Sequence, residues 1–508
     1  MIGGLSACSP PKAPEDTTVL VGRASDAIML DPARITTAES AEVTEQLFDH
    51  LVRYRQSSTE IEPALAVRWD VSADGLSWTF DLRPNVRFHD GTPCDADAVV
   101  FSFERQRDPK HPFHENDFIY WETTYRNIRS IEKIGPLKVR IHIDKPYAPF
   151  LANLAMFPVS IVSPAAVIKW GHEFWRHPVG TGPFKLVEWS PGDHITLEAN
   201  HDFWDGAPQL EHLVFTVIPD ARQRLVALEG GTIDVAETLS PQDLQFVGLH
   251  PELTLHRIAG NNVGYLAMNT LHPPFDDVRV RRAVNYAINK TAIVKLVYQG
   301  MAVAASSPVP PSFWGHVDEP RYAFRKAEAI RLLEEAGYTQ GDHRPRLFTM
   351  NTPRQYMPAP ETVARIIQHN LHDVGMDVEV VVNDIDTHVQ LTQSGQHDLC
   401  LLGWSADSGD PDNFLSTLFD PSNAVPGTAR NLSFYKNAEL HTLLEGAQES
   451  SDRSERERRY HRAQDIISRD APWVPIAHAE VVVAARASLS GLTVHPSSNI
   501  YYRRVQKR

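Results

Sequence analysis

Apolar and polar positions along this chain alternate between the strand period of two and the helix period of about 3.6. In the first half, residues 78–82 alternate like a half-buried strand, while residues 38–53 and 97–105 carry apolar side chains at helical spacing. Further β-prone runs occur at residues 139–143, 184–189, 195–198 and 213–217. This half therefore predicts a mixed α/β unit.

The second half repeats this alternation with stronger helices. Residues 278–297 and 325–336 have apolar side chains every three or four positions, and the second run ends at Gly337. Strand-like runs at residues 347–350, 378–382 and 398–404 alternate with helical ones, which predicts a second α/β unit with parallel strands. The apolar segment 474–485 can carry the chain back to the first unit.

Length and charge narrow the class of protein. The 508 residues predict about three structural units. A formal net charge of −15 opposes binding to phosphate backbones, so no nucleic-acid partner is expected. The 23 histidines are scattered and the 3 cysteines are too few for a disulfide scaffold, so neither a metal site nor a cofactor is predicted.

One uncharged stretch raises the question of a membrane span. Residues 149–168 are long enough, since about 20 apolar residues suffice. Pro149, Pro158 and Pro164 interrupt the stretch, and we expect a buried loop-and-strand segment instead.

The first residues carry an export signature. Residues 5–8 read Leu-Ser-Ala-Cys, the pattern of a lipobox, in which Cys8 would accept diacylglycerol. A polar, proline-rich tether follows to residue 16. Residues 1–4 cannot supply a complete signal peptide, so a truncated start is expected. The alternative is a chance match at the terminus of a cytosolic protein.

Motifs of common enzymes are missing from the sequence. It contains no Gly-x-Ser-x-Gly, no phosphate-binding loop and no dinucleotide fingerprint. His172 and His177 are five positions apart, which misses the four-residue step of two zinc ligands on one helix face. A calcium loop starting at Asp407 would need an acidic residue where Leu418 stands. No catalytic residue is predicted, and a hydrolytic enzyme remains only as a rival class.

Several longer motifs, in the same order, resemble those of the family 5 extracellular solute-binding proteins. They are EPALA at residues 62–66, DGLSWTFDLR at 74–83, VRFHDG at 86–91, ADAVVFSF at 96–103, PVGTGPF at 178–184, VRRA at 280–283 and AINK at 287–290. The resemblance extends over nearly the whole chain and implies the α/β, two-lobed periplasmic-binding-protein fold (type II, large peptide-binder class). Lobe one would contain an extra subdomain. The implied divisions are a signal remnant and tether at 1–16, lobe one at 17–262, lobe two at 263–478 and a return to lobe one at 479–508.

Within that family the chain looks most similar to periplasmic dipeptide-binding proteins, because residues 403–414 read GWSADSGDPDNF. The resemblance implies that Asp407 holds the α-ammonium group of the ligand and that Arg354 holds its α-carboxylate. Tyr356 and Trp404 would line the pocket. From the residues alone, Asp407 can instead be a turn residue before a helix starting near Pro411, with Asp410 or Asp412 as N-cap, and Arg354 a surface residue. Trp404 can belong to the core.

The resemblance implies an exported, lipid-anchored carrier at the periplasm or cell surface. It would be a monomer that captures short peptides, most of all dipeptides, by hinge closure and delivers them to an ABC permease and its ATPase. Relatives in the family take other cargo, namely oligopeptides, nickel, haem, glutathione or antimicrobial peptides. An aspartate paired with an arginine favours a short zwitterion over a metal or a hydrophobic ring.

Overall fold

The computed structural model describes residues 17–319, 321–341 and 343–508. Cys8 and the tether lie outside the described residues. The strands are β1 Thr18–Arg23, β2 Val52–Tyr54, β3 Ile61–Pro63, β4 Ala66–Val71, β5 Ser77–Leu82, β6 Ile128–Gly135, β7 Lys138–Ile143, β8 Phe184–Ser190, β9 His194–Ala199, β10 His212–Val217, β11 Val235–Ala236, β12 Leu253–Ala259, β13 Asn262–Met268, β14 Ala302–Ala304, β15 Arg346–Met350, β16 Glu379–Asn383, β17 Leu399–Ser405, β18 Trp473–Arg486, β19 Leu489–Ser490, β20 Thr493–Val494, β21 Ile500–Tyr501 and β22 Gln506–Lys507.

The helices begin mostly at side-chain caps or at proline. They are α1 Ala38–Leu47, α2 Ala96–Arg107, α3 Phe150–Asn153, α4 Pro164–Trp170, α5 Ala221–Glu229, α6 Pro241–Val247, α7 Val278–Ala287, α8 Lys290–Ile293, α9 Lys326–Ala336, α10 Pro360–His372, α11 Ile385–Gln393, α12 Asp412–Phe419, α13 Ala438–Glu449 and α14 Arg453–Asp470. Thr37 caps α1 and Asp95 caps α2, each by accepting backbone N–H groups of the first turn. As predicted, α9 ends at Gly337, whose φ of 75° closes the helix.

Strand β18 joins two halves of a 12-stranded sheet, whose path runs β16-β15-β17-β13-β18-β11-β1-β10-β9-β8. Its first part pairs antiparallel with β13 and β14, and its second part pairs with β12 and β11. The apolar side chains form separate cores on either side of this junction. We call lobe one the part built on β1 and β8–β12, and lobe two the part built on β13–β17. The exact boundaries at residues 262 and 478 stay a prediction.

Lobe one contains a second sheet of its own. Strands β4, β5, β7 and β6 form a four-stranded antiparallel sheet, which shares a core with α2. Phe80 and Val139 are cross-strand partners in that core and are completely buried. This sheet is the expected extra subdomain of lobe one.

Two expectations about local structure were wrong. Residues 149–168 form the short helices α3 and α4 with a 3-10 turn between them, not a strand, because the prolines initiate helical turns here. Lobe two is not purely parallel. Strand β15 is parallel to β16 and β17, but β13 runs antiparallel to β17 and β18.

Candidate functional site

A cavity of about 630 Å³ lies between the two lobes. Lobe one contributes α1, the segment around Tyr120 and the C-terminal residues 497–503, and lobe two contributes the loops at 353–358 and 405–407. Small-molecule sites typically measure about 300–1,000 Å³, so this interlobe cavity is large enough for a short peptide. A side groove of about 550 Å³ adjoins it within lobe two.

Asp407 stands in the loop that connects β17 to α12 and lines both the interlobe cavity and the side groove. Its side chain is open to the cavity, yet both lobes surround it, and this desolvation raises its carboxyl pKa to about 6. The positive charge of Arg430 acts in the opposite direction. The charge of Asp407 also contributes to raising the pKa of Tyr120, which belongs to lobe one, so Asp407 faces across the gap.

Arg354 stands in the loop between β15 and α10. Its backbone N–H and C=O both pair with Met357, at 3.1 and 2.9 Å, which makes a tight turn. The guanidinium group is exposed and lines both the interlobe cavity and the side groove. Within the described part of the chain, neither this group nor the Asp407 carboxylate has a hydrogen-bond or ion-pair partner. Both charges are therefore open to a ligand.

Tyr356 fixes the Arg354 loop to the sheet. Its ring lies against the bare backbone of Gly403, and its carbonyl accepts a 2.7 Å hydrogen bond from the Tyr298 hydroxyl. Trp404 fixes the neighbouring loop, because its indole N–H donates to the Asn413 side chain at 2.8 Å. Both rings line the side groove, so the structure brings all four sequence-predicted residues to one region.

The structure agrees in part with the alternative interpretation, in which Asp407 lies in a turn before a helix that Asp410 caps. Helix α12 begins at Asp412, with Pro411, which makes no side-chain hydrogen bond, at the N-cap position. Asp410 accepts the Asp412 backbone N–H at 3.0 Å and binds Arg456 at 2.7 Å. Asp410 therefore holds the start of the helix, while Asp407 has no such role.

The lobe-one side of the cavity was not identified from the sequence. Glu39, Glu42 and Glu45 on α1 line it, together with His50 and Glu237. Burial raises the pKa of Glu45 to about 8, with the nearby Asp49 as a second cause, and burial lowers the pKa of His50 to about 4. The spacing of glutamates every three residues was the available signal, because it places them along one helix face.

Direct hydrogen bonds hold the lobes together beside the cavity. The Tyr54 hydroxyl of lobe one accepts the Gly409 N–H of lobe two at 2.7 Å and donates to the Ala152 carbonyl at 2.6 Å. The Ala148 N–H of lobe one donates to the Gln448 carbonyl of lobe two at 2.7 Å. These contacts describe a closed arrangement of the lobes.

The described residues contain no metal-ligand cluster and no helix that could span a membrane. No group of three or more His, Cys, Asp or Glu side chains is arranged there to hold a metal ion. None of the helices described combines the length and apolar character that a bilayer crossing requires. Cys94 and Cys400 are buried as free thiols.

Comparison with known proteins places the chain in a family. The model of bacterial extracellular solute-binding proteins, family 5 Middle, matches residues 60–425. Heme-binding protein A of Haemophilus influenzae is 36% identical over 486 residues, covering 92% of this chain and 88% of that protein. The dipeptide-binding protein of Escherichia coli is 34% identical over 487 residues, covering 92% and 90%.

Solved structures agree with this match. HbpA2 from Haemophilus parasuis superposes with a TM-score of 0.90 at 31% identity, covering 97% of this chain and 100% of that one. The dipeptide-binding protein of Pseudoalteromonas sp. SM9913, in complex with Met-Leu, gives 0.81 at 30% identity with the same coverage. The expected two-lobed α/β fold is confirmed. The chain belongs to family 5 of the bacterial extracellular solute-binding proteins.

Proposed function

We propose that this protein captures short peptides, most of all dipeptides, in the interlobe cavity and delivers them to an ABC importer. One observation carries the proposal. Asp407 and Arg354, two opposite charges without a protein partner in the described chain, line the same cavity. A dipeptide has an ammonium group and a carboxylate at a short separation, and each must be satisfied once it leaves water.

The two residue types match the two ends of such a ligand. Arg354 can donate two parallel hydrogen bonds to a carboxylate, because a guanidinium group is a planar fork. Asp407 is the matching acceptor for an ammonium group. A longer peptide whose terminus extends past Arg354 leaves a buried charge without its partner, which disfavours it. Ligand length is therefore selected by the termini, and the volume of the cavity leaves room for varied side chains.

Mutation of the two residues tests this function. We expect Asp407→Ala to weaken Ala-Ala binding by about 100-fold or more, since an unpaired buried charge costs about 3–5 kcal/mol. For Arg354→Ala we expect a loss of about tenfold, because its guanidinium group is exposed and solvent screens its charge. Isothermal titration calorimetry measures the affinity. Asp70→Ala and Arg365→Ala are matched controls, because both positions are exposed and lie outside the interlobe cavity and the side groove. Failure of the parent protein to bind any dipeptide contradicts the function, and parental affinity in both variants removes these residues from the site.

Haem is a second candidate, favoured by the name of the relative from Haemophilus influenzae. The acidic residues of the cavity disfavour haem binding. Haem carries two propionate groups, whereas the lobe-one wall of the cavity is lined with Glu39, Glu42 and Glu45. A haem titration followed by absorbance separates the two ligands, and mass spectrometry of molecules released from freshly purified protein identifies the natural cargo.

We also propose that Cys8 carries a lipid that holds the carrier at a membrane face, outside the cytoplasm. The lipobox sequence at residues 5–8 and the polar tether to residue 16 support this. The protein would act as a monomer beside its permease. Intact-mass measurement of membrane-extracted protein tests the anchor, and the Cys8→Ser variant is expected to appear in the soluble fraction.

A further inference from the structure

One wall of the interlobe cavity is unusually acidic. Helix α1 directs Glu39, Glu42 and Glu45 toward it, at a spacing of three residues along one face. Glu237, in the segment after β11, lines the same wall. This wall belongs to lobe one, whereas Asp407 and Arg354 belong to lobe two. We call these four glutamates the acidic wall.

The arginines near Glu39, Glu42 and Glu237 are too few to neutralise these three carboxyl groups. Arg23 is 1% exposed, contacts Glu42 at 3.3 Å and also lies within the electrostatic reach of Glu39 and Glu237. Arg224 also lies within the electrostatic reach of Glu237, so two arginines serve three carboxyl groups. Glu42 Oε1 and Glu237 Oε1 are buried without a hydrogen-bond donor among the described residues. Burial, followed by the charge of Glu237, raises the Glu42 pKa well above its usual range.

The negative charge of the Glu45 carboxyl group is compensated even less by nearby cations. Its nearest basic group is His50, with Nε2 at 3.7 Å from Glu45 Oε1. His50 is 4% exposed and lines the cavity, its Nε2 has no hydrogen-bond partner within the described chain, and its lowered pKa leaves it neutral. Asp49 adds a further negative charge, although Thr181 and Trp204 donate to it at 2.7 and 2.9 Å.

The other charged and titratable groups near Glu45 do not neutralise it. Arg53 lines the cavity but is paired with Glu62 at 2.8 Å and with Asp205 at 3.0 Å. The Tyr501 hydroxyl lies close enough for the charge of Glu45 to contribute to raising its pKa. The carboxyl group of Glu45 therefore opens on the cavity with a neutral histidine and a tyrosine beside it. A cation that enters the cavity would find its counter-charge here.

We propose that the acidic wall is a subsite for a cationic side chain of the ligand, so that the preferred cargo is a short peptide containing lysine or arginine. This inference rests on the proposed function, because the peptide termini would be held by Asp407 and Arg354 in lobe two. The described residues contain no group arranged to hold a metal ion, which favours an organic cation. A side-chain ammonium or guanidinium group would also link the two lobes.

The raised pKa of Glu45, about 8, gives the subsite a measurable signature. At pH 7 the carboxyl group is mostly protonated, since one pKa unit corresponds to a tenfold ratio. A cation that binds next to it favours the charged form and lowers the pKa, so binding releases a proton. A wall that serves only to hold α1 in place would release none.

Calorimetry with matched peptides tests the subsite in the parent protein. Ala-Lys is compared with Ala-norleucine, and Lys-Ala with norleucine-Ala, because norleucine keeps the length of lysine without its ammonium group. In at least one pair we expect the lysine peptide to bind about tenfold more tightly. Its binding at pH 7 should release about one proton, seen as a dependence of the enthalpy on the buffer. Equal affinities within both pairs overturn the subsite.

Variants assign the preference to the wall. Glu45→Gln is expected to reduce the lysine-to-norleucine ratio to below about threefold and to abolish the proton release. Glu188→Gln, exposed on β8 and outside the cavity, removes the same charge and should leave the ratio unchanged. If Glu45→Gln does not fold, Glu39→Gln is the second variant, since its side chain is only half-buried. An unchanged ratio in the folded variant overturns the inference, whereas failure of norleucine and lysine peptides alike to bind overturns the proposed function.

Discussion

Asp407 combines two properties that rarely occur together, since its side chain is open to the cavity and its pKa is nevertheless raised to about 6 by desolvation. A carboxyl group whose pKa is higher in the folded than in the unfolded state makes folding take up a proton. Its effect on stability is therefore unfavourable above the folded pKa and disappears as the pH falls below the usual range of aspartate. A desolvated carboxylate without a protein partner favours cation binding, because the ammonium group of the ligand supplies the missing positive charge.

The first prediction concerns the pH dependence of binding. Only the charged form of Asp407 pairs with an ammonium group, so affinity for Ala-Ala should be highest near pH 7 and fall by up to about tenfold per unit below pH 6. Above pH 7 it should decline again, because the α-amino group of the peptide has a pKa of about 8. Calorimetry between pH 5 and 8 measures it. Asp412 also has a pKa of about 6, so Asp412→Asn is the control that separates the two groups.

In Asp407→Asn the affinity should be weak and independent of pH below pH 7. The thermal midpoint of the ligand-free variant should not fall, because the substitution removes a desolvated charge. A parental slope in Asp407→Asn would show that another group titrates.

At the scale of elements, two glycines determine where the Arg354 loop can lie. Gly264 in β13 and Gly403 in β17 are cross-strand partners, and the backbone and ring of Tyr356 rest directly on them. A Cβ atom at Gly403 would overlap the Tyr356 ring, and one at Gly264 would overlap the Tyr356 carbonyl oxygen. Because Gly264 and Gly403 have no side chains, the loop can pack directly on the sheet and place Arg354 beside the cavity.

Gly403→Ala should therefore displace Tyr356 and, with it, the neighbouring Arg354. We expect peptide affinity to fall by about tenfold or more, because a carboxylate contact misplaced by even about 1 Å loses much of its value. Calorimetry measures the affinity, and near-ultraviolet circular dichroism shows whether the tertiary fold is kept. Gly135→Ala is the control, since its nearest neighbour would be 3.5 Å from the new atom. A folded Gly403→Ala variant with parental affinity would contradict this account of the loop.

The sequence predicted the positions of helices and strands better than it predicted which residues meet at the cavity. The apolar run at 474–485 corresponds closely to β18, and the helix expected at 325–336 is α9, because period and caps are local properties. The sequence could not predict that acidic residues of lobe one face the charged residues of lobe two across one cavity. Glu45 and Asp407 are separated by most of the chain, and their common cavity depends on how two lobes pack. Asp407 was identified through a family motif, while the α1 glutamates had no motif to mark them.

At the scale of the whole molecule, the loop that carries Asp407 also closes the cavity. Its Gly409 N–H donates to Tyr54 of lobe one, and a Cβ atom at Gly409 would be 2.7 Å from the side chains of Tyr54 and Thr59. Next to it, the Tyr147 hydroxyl of lobe one donates to Asp412 at 3.3 Å. One short segment of lobe two thus faces the ligand and holds lobe one. Ligand binding and lobe closure are expected to be coupled through this segment. A ligand that orders the segment favours closure, and closure that orders the segment favours ligand binding.

Tyr54→Phe tests this coupling. The variant keeps the ring that stacks on His495 but removes the oxygen atom that accepts the Gly409 N–H. Loss of a hydrogen bond that leaves a buried donor unpaired costs about 1–3 kcal/mol, so the closed form should be less populated. We expect peptide dissociation, followed by stopped-flow fluorescence, to accelerate by about 5-fold or more, with a smaller change in the association rate. X-ray scattering at saturating peptide should show a larger radius of gyration than in the parent.

Tyr322→Phe is the matched control for this experiment. Its hydroxyl donates to the Ser468 carbonyl at 2.8 Å, and both residues belong to lobe two, so the same atom is lost without touching the interface between lobes. Its dissociation rate should equal that of the parent. If Tyr54→Phe also dissociates at the parental rate, the contact at Gly409 does not hold the closed form. Closure would then depend on the ligand and on the other contacts between the lobes, among them the Ala148–Gln448 backbone hydrogen bond and the Tyr147–Asp412 hydrogen bond.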